Sequence, residues 1–238
     1  MKHAIVIGAS TGIGKNLALK LAKEGYKVVI TARDIAKLKV IEASDANTFL
    51  AVCMDVTLLN ITIDKLNSLV DLFSYIDLIV YCAGIGEENI KLLFENELST
   101  IQTNIIGFTN VATWAINQFQ QQQFGHFVCI SSIAGIRGSK LAPAYNASKA
   151  YQINYLEGLK QKVAQLPYNI YVTDIRPGLV DTQMAKGKGL FWVMPLNKAV
   201  NQIYWAINAK KQVKYITKRW HLIAGLLKIL PRTIYNKM

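Results

Sequence analysis

The sequence predicts an α/β fold: a doubly wound, mainly parallel sheet with helices on both faces, in three layers, with an extra amphipathic helix near the C-terminal end. Three observations predict it. Short β-branched apolar runs alternate with longer stretches of helical periodicity. The runs are apolar throughout rather than alternating, as expected of strands covered on both faces. The first of them passes directly into a glycine-rich turn that opens a helix.

The first strand is "AIVI" (4–7), and the helix after it runs from Gly12 to about Glu24, with Ile13, Leu17, Ala18 and Leu21 at helix spacing. "KVVIT" (27–31) precedes a helix near 34–43, and "TFLAV" (48–52) precedes one near 61–73. "IDLIVY" (76–81) leads to one long helix over about 90–122, whose run Gln120 to Gln123 reads as a polar end. "HFVCI" (126–130) comes before a helix over about 143–165, and "IYVTDI" (170–175) ends at Pro177-Gly178. A segment with glycines and aromatics (187–195), a helix near 195–209 and a short strand (213–217) follow. In the last stretch, "KRWHLIAGLLKILPRTIYNKM", Trp220, Ile223, Leu227 and Leu230 share one helical face. Right-handed crossovers between parallel strands put ligands beyond the carboxyl ends of the strands, so chemistry-bearing residues are expected there.

With 52% hydrophobic residues the chain has enough apolar surface for a core, and with no linker or repeat it reads as one domain over 1–238. Within it, 183–238 forms a lid and a basic extension. Cys53, Cys82 and Cys129 lack zinc-type spacing and read as buried, reduced thiols. Three scattered histidines give no support to a metal site. No apolar stretch approaches the roughly 20 residues that span a bilayer, and no cleavable signal precedes the first strand, so the expected location is cytoplasmic. The net charge of +12 is unevenly placed. Residues 1–182 carry 16 Lys/Arg against 15 Asp/Glu, whereas residues 183–238 carry 11 Lys/Arg and no acid.

"GASTGIG" sets Gly8, Gly12 and Gly14 between the first strand and its helix. Glycine there allows positive φ and close backbone approach, and the helix start offers free amides to a pyrophosphate. The second strand ends Thr31-Ala32-Arg33-Asp34, with Arg33 where an acid that binds ribose hydroxyls would stand. A guanidinium suits a 2′-phosphate, which favours NADP(H) over NAD(H). The alternative is an ordinary solvated arginine followed by an N-cap at Asp34. Downstream, "YNASK" is the one place where a tyrosine precedes a lysine by four residues, so Tyr145 and Lys149 share a helix face. A free phenol holds its proton too tightly to exchange it readily near neutrality, and a neighbouring ammonium favours the phenolate. Ser132, leaving the fifth strand, can hydrogen-bond a substrate oxygen.

These residues resemble the short-chain dehydrogenase/reductase family over residues 4 to about 184. The glycine spacing matches, Asp55-Val56 matches the acid-valine pair after the third strand, and "RPGLVDTQM" matches the loop that supplies Pro177, Gly178 and Thr182. The family's Asn-Asn-Ala-Gly element stands here as "YCAG", so Ala83 and Gly84 survive while both asparagines are replaced, and Ile7 takes the usual threonine place. The resemblance implies a Rossmann fold and hydride transfer between a nicotinamide and a carbonyl or alcohol. It implies catalytic roles for Asn104, Ser132, Tyr145 and Lys149, with Asn104 keeping a water in line with the lysine. It implies cofactor contacts from Gly8, Ser10, Thr11, Gly12, Ile13 and Gly14, from Arg33, Asp55, Val56, Ala83 and Gly84, and from Tyr145, Lys149, Pro177, Gly178, Val180 and Thr182. It also implies a homodimer or homotetramer and a mobile lid over the substrate.

Ile85, Ile133, Ile136, Phe191 and Trp192 are candidate pocket walls and suggest an apolar carbonyl or alcohol as the small-molecule substrate. The basic C-terminal helix either packs on its own domain or at a subunit interface, or lies on a membrane surface. Nucleic acid is not expected, because the basic segment is apolar rather than a polar groove. The competing class is a non-catalytic nucleotide-binding or membrane-attached regulator on the same fold. An epimerase or dehydratase of the extended type would carry a larger C-terminal domain and different glycine spacing.

Overall fold

A seven-stranded sheet, parallel throughout, organises the chain in a computed structural model that describes residues 1–185 and 191–236. In chain order the first elements are β1 (Lys2–Ile7), α1 (Gly12–Lys23), β2 (Tyr26–Ala32), α2 (Ile35–Glu42), β3 (Phe49–Cys53), α3 (Leu59–Phe73) and β4 (Leu78–Tyr81). They are followed by α4 (Phe94–Ile101), a π-helical turn (Gln102–Gly107), α5 (Phe108–Gln122), β5 (Phe124–Ile130), a 3-10 turn (Ile133–Ile136), α6 (Pro143–Ala164) and β6 (Asn169–Pro177). The last are α7 (Leu196–Asn208), β7 (Val213–Ile216), α8 (Lys218–Ile229) and α9 (Arg232–Tyr235).

The strand order is β3-β2-β1-β4-β5-β6-β7. Because successive side chains of a strand point to opposite faces, β1 divides its apolar residues between two cores. Ala4 and Val6 pack with Leu17 and Leu21 of α1, Leu38 of α2 and Ile203 of α7. Ile5 and Ile7 pack with Leu66 of α3, Phe108 and Phe119 of α5 and Leu156 of α6. Both faces are covered, which is why the strands read as continuous apolar runs. The direction of winding reverses between β1 and β4, and the crevice beyond their carboxyl ends is the place for a ligand.

The long helix expected over 90–122 is interrupted. Residues 90–93 are not helical, α4 begins at Phe94, and the π turn widens the path before α5. Two buried side chains hold the carbonyls that such a turn frees from the helical ladder: the Tyr81 hydroxyl donates to Thr103 O (2.9 Å) and Gln152 Nε2 donates to Asn104 O (2.9 Å). Cys53 is also a correction, because it is exposed at the end of β3 rather than buried; Cys82 is half-buried and Cys129 buried. Part of the expected lid, residues 186–190, lies outside the described residues. The remainder is tied to the loop after β6, with Met194 donating to Leu179 O (2.9 Å) and accepting from the Asp181 amide (2.9 Å).

Candidate active site

Beyond the carboxyl ends of β1, β4, β5 and β6 lies a cavity of about 750 Å³. Its floor is the turn from β1 to α1. Gly8 adopts φ +87°, and a Cβ there would lie 2.6 Å from the Ala83 amide nitrogen, so only glycine allows β4 to approach. Thr11, which precedes α1, makes no side-chain cap, and the first turn of α1 carries no acid. The amides at the start of that helix are therefore available to an anion. Ser10, Thr11, Gly12, Ile13 and Gly14 line this end of the cavity.

Arg33, at the end of β2, lines the same end and makes no ion pair among the described residues. Its neighbour Asp34 is engaged elsewhere, accepting from the Lys37 amide (3.2 Å) as the N-cap of α2 and pairing with Lys37 Nζ (2.9 Å). Both alternatives weighed for "RD" are thus half present: the cap exists, and the guanidinium still faces the cavity. Asp55 and Val56 line the wall beside it, with Asp55 Oδ1 accepting from the amide (3.0 Å) and hydroxyl (2.8 Å) of Thr57. Cys82, Ala83 and Gly84 continue that wall. Burial pushes the Cys82 thiol up to about 12, against the opposing pull of the Lys149 ammonium, so it remains a neutral thiol.

At the other end, the start of α6 brings Tyr145 to the cavity. Glu97 of α4 fixes that start by accepting from the Ala144 amide (2.9 Å) and from Asn89 Nδ2 (2.7 Å). Asn146 ties α6 to the 3-10 turn, donating to Ala134 O (2.9 Å) and Arg137 O (2.8 Å). Lys149, only 5% exposed, reaches past Tyr145 with Nζ 5.8 Å from the ring centre. Its ammonium donates to Ile130 O (3.1 Å) and Gln152 Oε1 (3.0 Å). Ser132 Oγ accepts from the Ala134 amide (3.1 Å) and makes only a long contact to Pro177 O (3.5 Å), which leaves its hydroxyl proton available.

The cavity thus brings together every expected site residue except Asn104. That residue is fully buried behind Gly84. Its side chain exchanges two hydrogen bonds with the backbone of Ile85 (2.9 and 2.7 Å) and donates to Ser148 Oγ (3.0 Å). The carbonyl of Asn104 accepts from Gln152, so a protein amide bridges Lys149 and Asn104.

Ile85 and Ile133 line the cavity as expected, whereas Ile136, Phe191 and Trp192 do not. Phe191 and Trp192 pack instead on Trp220, with ring centres 5.4 and 6.3 Å apart. Trp220 is itself a wall residue, together with Leu227 of α8 and Tyr235 of α9. The indole lies flat on Gly178, where a Cβ would come within 2.3 Å of the ring. Arg137 latches this wall in place. Its Nε donates to Leu227 O (2.7 Å), another guanidinium nitrogen donates to Leu230 O, and the group lies 5.4 Å from the centre of the Tyr235 ring. The inward face of the C-terminal helix is therefore packed on its own fold, one of the alternatives left open by the sequence.

The glycine turn, the parallel sheet reversing at β1 and β4, and the Ser132, Tyr145 and Lys149 cluster accompany a match to the family model for short chain dehydrogenases over residues 2–190. The chain belongs to the short-chain dehydrogenase family. It is an oxidoreductase of a family that binds a nicotinamide dinucleotide. It is similar to an uncharacterized oxidoreductase of Myxococcus xanthus, 34% identical over 77% of this chain and 74% of that one. It is also similar to carbonyl reductase family member 4 of Xenopus tropicalis, 32% identical over 78% of each chain. Among solved structures, a short-chain dehydrogenase from Sphingobium yanoikuyae in complex with NADPH superposes with a TM-score of 0.82 at 21% identity, covering 98% of this chain and 97% of that one. Among the described residues no helix of this short-chain dehydrogenase is long and apolar enough to cross a membrane.

Proposed function

We propose that the chain is an NADP(H)-dependent oxidoreductase that interconverts an apolar aldehyde or ketone and its alcohol, with Tyr145 as acid and base. The observation that carries this reading is one cavity with an anion-accepting glycine turn and Arg33 at one end and Tyr145, Ser132 and buried Lys149 at the other. The similarity to a relative named carbonyl reductase family member 4 is consistent with it. When bound, the nicotinamide supplies or accepts the hydride.

The chain's own residues handle the proton and the oxygen. In the reducing direction the Tyr145 hydroxyl gives its proton to the carbonyl oxygen as negative charge develops there. The Lys149 ammonium stabilises the phenolate left behind, the more so because it is withdrawn from water. Ser132 donates its free hydroxyl proton to the same substrate oxygen and holds it toward the phenol. Arg33, which makes no ion pair among the described residues, would hold the 2′-phosphate of NADP(H), while the neighbouring Asp34 carboxylate is already engaged by the α2 cap and Lys37. Ile85, Ile133, Trp220 and Leu227 give the substrate end an apolar lining.

The outer groove between α3, α5 and α6, lined by Leu59, Ile106, Trp114 and Tyr151, is the surface we assign to self-association, with Ile106 and Leu59 exposed on it. The three unpaired cysteines support a reducing, cytoplasmic setting.

The test is NADPH oxidation with a panel of aldehydes and ketones. Tyr145→Phe is expected to lower kcat by about 10²- to 10⁴-fold while NADPH still binds. Equal turnover by wild type and variant on every accepted substrate would remove Tyr145 from the chemistry, and NADPH binding without any turnover would make the chain a nucleotide-binding protein. Arg33→Ala is expected to raise KM for NADPH by about 10- to 100-fold and leave KM for NADH nearly unchanged.

A further inference from the structure

Helix α8 is apolar on two opposite sides. Trp220, Ile223, Ala224 and Leu227 follow helix spacing and face inward, with Trp220 and Ala224 buried. Leu222, Leu226 and Ile229 follow the same spacing on the far side and are 77%, 58% and 78% exposed. Scattered surface leucines are ordinary, but a row of three along one helix is an unmatched apolar stripe. Ile234 of α9 is also exposed, and Trp192 is half-exposed beside Arg219, whose guanidinium lies 5.6 Å from its ring centre.

The charges around the stripe indicate what covers it. Lys218, Arg219, Lys228 and Arg232 are all exposed, and the sequence from 183 to 238 contains no acid. A second copy docked here about a two-fold axis would bring two such basic clusters together with nothing to neutralise them. An anionic lipid surface supplies both complements: a hydrocarbon boundary for the stripe and headgroup charge for the lysines and arginines, whose long stems extend toward it.

We propose that the outer face of α8 seats the protein on an anionic membrane surface, and that the cavity walled by the inner face of the same helix draws an apolar carbonyl or alcohol from the lipid. The second half rests on the oxidoreductase reading above. Only the diameter of one helix, about 10 Å, separates stripe from cavity wall.

The full chain is sedimented with vesicles of phosphatidylcholine alone and of phosphatidylcholine mixed with phosphatidylglycerol. Binding is expected to the mixed vesicles at low salt, at least about tenfold weaker at high salt, and absent from phosphatidylcholine alone. Leu226→Glu combined with Ile229→Glu is expected to lose binding while oxidising NADPH normally with a water-soluble aldehyde, since neither side chain lines the cavity. Lys228→Ala and Arg232→Ala are expected to weaken partition by about fivefold per residue. Turnover of a long-chain aldehyde delivered in the mixed vesicles should fall in the stripe variant. Wild type remaining in the supernatant at low salt, a stripe variant that binds as wild type does, or a stripe variant that only converts a dimer to a monomer would overturn the proposal. Absence of turnover on soluble aldehydes would instead count against the reaction, and the sedimentation result would stand independently of it.

Discussion

Gln152 occupies the centre of the proposed catalytic geometry without facing the cavity. Its amide is fully buried, accepting from Lys149 and donating to the Asn104 carbonyl, so one side chain fixes both the ammonium and the π turn. It is a positioning residue for Lys149. Gln152→Leu leaves that ammonium with Ile130 O alone and the Asn104 carbonyl without its partner. The expected result is a fall in kcat of about tenfold or more with a displaced pH dependence of kcat, read from steady-state profiles. Gln152→Glu keeps an acceptor for the ammonium and should retain more of kcat, which a purely structural role would not predict. The sequence could not point to this residue. Tyr145, Lys149, Ser132 and the glycines are recognisable because their chemistry requires fixed spacings along the chain, whereas Gln152 is defined by where a distant turn places a carbonyl. The same holds for Glu97 at the start of α6 and Arg137 on α8. Tyr81 replaces an expected asparagine, and its hydroxyl supports the π turn.

Elements were more legible than the contacts between them. The central strands were found because burial on both faces requires an apolar run, and the edge strands β3 and β7 from short β-branched runs. Helix α6 was bounded within a residue because Pro143 opens it. The break before α4 and the π turn were not legible, because Ile101 to Phe108 carry ordinary helical spacing and the turn is held from outside by Tyr81 and Gln152. Pairing between β5 and β6 carries a pH consequence. His126 Nε2 lies 2.7 Å from Thr173 Oγ1, and that hydroxyl donates to Lys211 O (2.6 Å), so the imidazole must be the donor to Thr173. Burial, assisted by the Lys210 ammonium, pushes His126 down to about 4. The unfolded chain takes up a proton below about pH 6.5 that the folded chain refuses until about pH 4, so stability falls as pH falls through that window. The loss from this residue alone is on the order of 3 kcal/mol. Urea unfolding at pH 7 and pH 4.5 should show it, and His126→Gln should flatten the difference.

At the scale of the whole molecule, the C-terminal wall is held by contacts remote in sequence. Arg137 clasps the end of α8, and the Tyr235 hydroxyl donates to Gly138 O (2.5 Å). Arg137→Ala should therefore raise KM for apolar carbonyls by about tenfold while leaving the affinity for NADPH intact, as separate titrations of the two would show. The stripe of Trp220 and Leu227 was visible in the sequence as a helical face, but its destination was not, because a basic amphipathic helix has the same pattern on a bilayer as on a protein core. The outward stripe was overlooked for a related reason: two opposed apolar faces blur the periodicity that reveals either one. The residues of this wall, Trp220, Leu227 and Tyr235, all fall after position 190, where the family match stops. In the proposed reaction the nucleotide and proton contacts come from the earlier part of the chain. The portion after 190 supplies the far wall and also core packing, with Ile203 of α7 against β1 and Met194 tied to Leu179 and Asp181. Substitutions confined to Trp220, Leu227 and Tyr235 should therefore retune which molecules are accepted, whereas exchanging the whole portion would also disturb the sheet and the core beneath it.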